Sequence, residues 1–176
     1  MLLSCLRNTV SLNTALLVAM VSLSARAAEA QRSVAVGMGA DIPIGGTADV
    51  FKSGYHSTVS VSFTPRRLRR VIRVDGSLTE LRGRDSASTP HHIQSVVAGI
   101  VLTGPTRLTP AGYVVAGIGF YQQSNASQKR SDTGVNIGAG ISFPRRVVGT
   151  FIEARLHYIG GGSRTKYFPM TIGLVF

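Results

Sequence analysis

The chain has little cysteine, few acids and no long apolar run, and each shortage excludes a class of protein. Its one cysteine is Cys5, so the region beyond the N-terminal segment can form neither an internal disulfide nor a thiolate metal site. Cys5 also lacks the small-residue surroundings of a lipoprotein attachment site, which argues against a lipid anchor. Eight Asp and Glu face nineteen Lys and Arg, for a net charge of +11 over 176 residues. A helical transmembrane span needs about 20 apolar residues, and the apolar core within Thr14–Leu23 is about half that. Helical periodicity is almost absent from the rest.

That short apolar core has a different meaning. Arg7 precedes it, and Ala28-Glu29-Ala30 follows it with the small-x-small pattern of a secretory cleavage site; Ala25-Arg26-Ala27 offers a second. Residues 1–30 are expected to be a signal peptide and 31–176 one domain. An excess of basic charge ordinarily suggests nucleic acid or an anionic surface. An exported chain is not expected to meet nucleic acid, so anionic lipid is the expected counterpart.

From Gln31 onward the dominant pattern has period two, the signature of strands whose successive side chains face opposite ways. Val34, Val36, Met38, Ala40 and Ile42 share one face of the first segment, and Ala35, Gly37, Gly39 and Asp41 the other. Tyr55 to Phe63 alternates with His56, Thr58, Ser60 and Ser62. A third segment spans about Leu68 to Leu81, and a fourth, His92 to Leu102, has uncertain parity because Val96-Val97 puts apolar groups on both faces. The fifth is Tyr113–Tyr121. In the sixth, Val135, Ile137, Ala139, Ile141 and Phe143 oppose Gly134, Asn136, Gly138, Gly140 and Ser142. In the seventh, Ile152, Ala154, Leu156 and Tyr158 oppose Phe151, Glu153, Arg155 and His157. The eighth carries Phe168, Met170, Ile172, Leu174 and Phe176 as one apolar stripe, close to the roughly 9–11 residues of a transmembrane strand.

Polar stretches at 45–54, 82–90, 122–132 and 160–166 read as loops, and 64–67, 104–106 and 144–146 as tight turns. Eight strands with connections alternately short and long predict an all-β, eight-stranded antiparallel up-and-down transmembrane β-barrel. Closure would satisfy every backbone hydrogen bond in lipid. Apolar stripes then face outward, and the inward faces are Gly, Ser, Thr and charged. A soluble lipocalin-like barrel, with an aliphatic interior, is the alternative. Ring placement favours the membrane: Tyr55, Phe120, Tyr158 and Phe168 fall at the loop ends of outward stripes, and Phe63, Phe143 and Phe176 at the turn ends, as two interfacial girdles.

On these features 31–176 resembles the small bacterial outer-membrane barrels of the OmpA/OmpX type. The resemblance rests on alternation, strand count, turn rhythm and the Phe176 ending, not on a sharp motif. It implies location in the bacterial outer membrane, a monomer, and recognition of the final stripe, Phe168 to Phe176, by the barrel-assembly machinery. No peptidoglycan-binding domain is expected after Phe176. The family is functionally mixed, comprising anchors, adhesion or resistance proteins and a few lipid-modifying enzymes, so fold does not settle function.

Candidate functional residues are few. Arg73 and Asp75 on strand three and Glu153 and Arg155 on strand seven are charged residues inside strands, at similar depth on opposite walls. Buried charges need partners, and an internal ion network plugging the lumen is the expected outcome, with a gated ion path as the alternative. His91-His92 reads as surface loop, since two adjacent histidines do not complete a metal site. His157 with Ser163 could suggest a lipid A deacylase, but His157 points inward and the His-x-Ser spacing is absent. Gly37/Gly39, Gly117/Gly119 and Gly138/Gly140 lie inside strands, without the helix that a phosphate loop requires. Arg66, Arg67, Arg69, Arg70, Arg107, Arg145 and Arg146 crowd the tight turns. There they either meet anionic phospholipid headgroups, at about 1 kcal/mol each, or form a solvated basic rim. The expected function is a non-enzymatic structural or surface-interaction role without cofactor or metal. A narrow porin-like channel and, more remotely, a lipid A-modifying enzyme are the alternatives.

Overall fold

A computed structural model describes residues 32–65, 70–84, 90–104, 110–125, 128–161 and 164–176. The 1–30 segment, Arg66, Arg67, Arg69, Arg107 and Ser163 lie outside the described residues. Strands β1 (Arg32–Pro43), β2 (Phe51–Phe63), β3 (Val71–Gly83) and β4 (His91–Thr103) make the first half of the wall. Strands β5 (Ala111–Ser124), β6 (Lys129–Phe143), β7 (Gly149–Ile159) and β8 (Lys166–Val175) complete it, and one short helix, α1 (Gly46–Val50), bridges β1 and β2. Each strand pairs with the next, and β1 pairs antiparallel with β8, so the sheet is a closed eight-stranded barrel. The seam is finished by a reciprocal backbone pair, Phe176 N–H to Val34 O at 2.8 Å and Val34 N–H to Phe176 O at 3.1 Å.

The outward faces are apolar along most of the wall. Met38, Ile118 and Phe120 are 68%, 69% and 73% exposed, which no soluble barrel with a water-facing exterior would tolerate around its whole girth. Phe168, Met170, Ile172, Leu174 and Phe176 lie along this surface on or just beyond β8. On the fourth strand, Val96, Ile100 and Leu102 face out while Ile93, Val97 and Val101 face in.

Three readings of the sequence need correction. Much of 45–54 and 122–132 is regular structure rather than loop: α1 and the start of β2 occupy the first, and β5 and β6 continue almost to a tip at 125–128 in the second. As a result the connections 44–50, 84–90, 125–128 and 160–165 are no longer than 64–70, 104–110 and 144–148, and the alternation of short and long does not exist. Backbone pairing is indifferent to side-chain polarity, whereas the apolar alternation marks only the part of each strand inside the greasy belt. The wall therefore runs on as polar ladder past the point where the pattern stops.

The lumen is also less polar than expected. Five rings, Phe51, Tyr113, Tyr121, Phe151 and Tyr167, are turned inward or packed against the interior, alongside Leu81, Ile93 and Ile159. An eight-stranded barrel is just wide enough for side chains to fill, and glycines alone would leave it hollow. Thirdly, His91 is not a loop residue. It opens β4, points inward at 9% exposure and stacks on Phe51 at 4.9 Å. Its neighbour His92 faces out beside Glu80.

Candidate functional site

Residues two apart on a strand share a face, so Arg73 and Asp75 on β3 both enter the lumen, as do Glu153 and Arg155 on β7. In a closed barrel of eight strands β3 and β7 stand opposite each other. The four side chains meet in the middle as a closed ring of ion pairs. Arg73 contacts Asp75 at 3.0 Å and Glu153 at 2.7 Å, and Arg155 contacts Asp75 at 2.9 Å and Glu153 at 2.6 Å. Each base touches both acids and each acid both bases, so the ring is neutral. All four side chains are less than a tenth exposed.

Further groups satisfy the ring's remaining valences. The Ser60 hydroxyl donates to Asp75 at 2.5 Å, and the buried Tyr113 packs on the turn side of the ring. Space comes from the small residues of β6. A Cβ on Gly138 would lie 2.6 Å from Cγ of Arg155, and one on Gly140 would overlap the Tyr113 ring. Both glycines serve packing in the strand.

Toward the loops the polar column continues. His56 reaches Thr171 through Nε2 at 2.8 Å and Asp41 through Nδ1 at 3.0 Å. A cavity of about 30 Å³ separates this level from the ion ring, bounded by His56, Thr58, Ser77, Ser95, Arg155 and Thr171 among others. It has room for about two water molecules. On its loop side, the Tyr121 and Tyr167 hydroxyls converge on Nδ1 of His157 at 3.0 and 3.2 Å, and His157 and Tyr167 line the cavity as well. At the mouth, the Gln123 carbonyl accepts from Thr165 at 2.8 Å and contacts His91 at 3.1 Å, while the Gln123 amide donates to Asp132 at 3.2 Å.

Two apolar clusters flank the ring: Leu81, Ile93, Val97, Tyr121, Ile159 and Tyr167 pack together toward the loops, and Val101, Tyr113 and Val115, with Val71 against them, pack along β3, β4 and β5 toward the turns.

His157 is enclosed between two tyrosines, far from the outward surface on which a deacylase would act. Among the described residues no three His, Cys, Asp or Glu side chains gather as metal ligands. Of the basic turn residues that are described, Arg70, Arg145 and Arg146 are exposed at the turn end. Asp41, His56, Ser60, Thr171 and Tyr113 were missed as partners in the lumen. Their inward parity was readable, but their depth relative to other strands was not.

The closed antiparallel sheet, apolar outside and charge-plugged inside, defines an eight-stranded up-and-down β-barrel of the membrane type. Solved structures with this fold include Neisserial surface protein A, at 15% identity, covering 83% of this chain and 97% of that one, with a TM-score of 0.66. The N-terminal β-barrel domain of Pseudomonas aeruginosa OprF follows at 18% identity, covering 84% and 100%, with a TM-score of 0.52. Ail, the attachment invasion locus protein of Yersinia pestis, matches at 19%, covering 84% and 99%, with a TM-score of 0.51. All three are small eight-stranded outer-membrane barrels, and the likeness is one of fold. No protein-family model and no curated protein sequence matches the chain.

Proposed function

We propose that this chain is an integral protein of the bacterial outer membrane, monomeric and non-enzymatic, serving a structural or surface-interaction role. The observation that carries this reading is the pairing of an apolar exterior with a lumen crossed by a buried ring of ion pairs. Such a barrel is stable only where hydrocarbon covers its outside, and among the described residues the charged side chains of its interior are buried and paired with one another. Residues 1–30 act as the export signal in this reading, lipid is the principal partner, and the outward stripe of β8 ending at Phe176 is the element presented to the assembly machinery. Arg70, Arg145 and Arg146 face the inner leaflet, and the polar upper ladder of β5 and β6 stands outside.

The porin-like alternative is disfavoured by the ring of buried ion pairs spanning β3 to β7 across the lumen and by the apolar clusters packed on either side of it. The decisive experiment combines fractionation with electrophysiology on the same preparation. Protein recovered with outer membranes that yields no stable single-channel current fits the proposal. Recovery in the soluble periplasm, or large stable currents, would overturn it.

A further inference from the structure

One irregularity of the wall turns Phe51 into the lumen and, on the other face, redirects a charged neighbour. Between the pairs Lys52↔Arg82 and Tyr55↔Glu80, β2 has two residues, Ser53 and Gly54, where β3 has Leu81 alone. This is a β-bulge, and its effect is to change which way Lys52 points. In an unbroken ladder Lys52, three residues from the outward Tyr55, would face the lumen. With the bulge, Phe51 packs inside and Lys52 faces out. Bulges re-aim side chains in this way. Gly54 is what permits it, because a Cβ there would run into the Glu80 carbonyl.

The side chain brought out lands directly opposite another cation. Leu81 is fully buried inside, so Arg82 is outward, and both Lys52 and Arg82 are exposed. Like charges directly opposite on an antiparallel pair destabilise it. Neither has an ion-pair partner among the described residues. The adjacent acid, Glu80, lies 3.5 Å from His92. A third base stands beside them: Arg84 donates through its backbone to Val50 O at 3.0 Å and through its guanidinium to Ala48 O at 2.5 Å, tying α1 to the end of β3. The pair lies one step toward the loops from Tyr55, which is 52% exposed and belongs to the ring girdle that marks the edge of the hydrocarbon.

We infer that Lys52 and Arg82 form a phosphate site on the outer face of the barrel, for a phosphorylated glycolipid of the outer leaflet. The inference rests on the outer-membrane reading above. Two cations side by side match the nearly double charge of a sugar phosphomonoester better than the single charge of a phosphodiester. Arg82 supplies a planar fork for two phosphate oxygens and Lys52 a point charge. Tyr55, Ser53 and His92 border the site with groups able to hydrogen-bond sugar hydroxyls.

The test uses the protein purified from membranes and placed in nanodiscs of phosphatidylcholine. One set is doped with a bis-phosphorylated lipid A glycolipid, one with the same lipid enzymatically dephosphorylated, and one with phosphatidylglycerol. Retained lipid is read by native mass spectrometry. The parent should hold the phosphorylated glycolipid in preference to both others. The double variant Lys52→Gln, Arg82→Gln should weaken that retention by roughly 30-fold, from about 1 kcal/mol per cation. Arg145→Gln, Arg146→Gln at the turn end should not change it. In neutral detergent, where no phosphate is present, Lys52→Gln alone should leave the unfolding temperature unchanged or raise it, because it relieves repulsion. Equal retention of all three lipids, equal loss in the turn-end variant, or a destabilised Lys52→Gln would overturn the site. Failure of the parent to insert into nanodiscs, shown by the absence of a heat-modifiable gel band, would instead overturn the outer-membrane reading.

Discussion

Removing Glu153 is the sharpest probe of the ion ring, because both bases depend on it. Its carboxylate accepts from Arg73 at 2.7 and 2.8 Å and from Arg155 at 2.6 Å. Glu153→Ala leaves two guanidinium groups sharing Asp75 alone, with one net positive charge enclosed where water scarcely reaches. Removing one partner of a buried pair costs about 3–5 kcal/mol. Glu153→Gln should cost less, since the amide keeps an acceptor and the shape. The informative companion is Arg73→Met, Glu153→Leu, which removes one base and one acid and leaves Asp75 paired with Arg155. Replacing a buried pair by apolar groups of similar volume is often neutral or stabilising, so the double variant should be more stable than either single one. Neighbouring sites couple by about 0.5–3 kcal/mol, and coupling near the top of that range is expected. The assay is reversible urea unfolding of the refolded protein in lipid, followed by far-UV circular dichroism and by gel mobility, since the chain contains no tryptophan. A loss under about 1 kcal/mol for Glu153→Ala, below the range for a broken buried pair, or a double variant as unstable as the sum of the singles, would refute the ring as an electrostatic unit.

Three other outcomes are expected. In planar bilayers the parent protein should give no stable currents, and Glu153→Ala should stay closed as well, because the apolar clusters built on Leu81 and Tyr167 and on Tyr113 and Val115 remain; sustained large currents from either would count against the plug. N-terminal sequencing of protein from outer membranes should begin near Gln31, and an uncleaved N-terminus would remove the export signal from the account. Phe176→Ser keeps the backbone pair with Val34 and sacrifices one ring, worth at most about 1.5–3 kcal/mol. It should slow assembly in cells while refolding into micelles stays near normal, and equal impairment in both settings would remove the targeting role of the β8 stripe.

How much could be read in advance depends on how local each property is. The face that a strand residue occupies is set by its immediate neighbours. The alternation in 34–42, 134–143 and 168–176 was enough to assign outward and inward sides and, with the strand count, a closed antiparallel barrel. The inward positions of Arg73, Asp75, Glu153 and Arg155 were legible for the same reason. Strand ends were not, because polar residues such as Gln122, Ser124 and Lys129 pair as readily as apolar ones, and only the membrane-facing part of a strand carries the apolar signal. His91 was misread as loop on the same grounds: its Ser/Thr/Pro surroundings hid the start of β4. Depth and partnership needed the tertiary structure. Arg73 and Glu153 are 80 residues apart in sequence, and the bulge that brings Lys52 beside Arg82 has no signature beyond one glycine among polar residues. Alternation along the chain determined what each strand shows to lipid and to lumen; only the register between strands, set by closure of the whole barrel, decided which side chains meet.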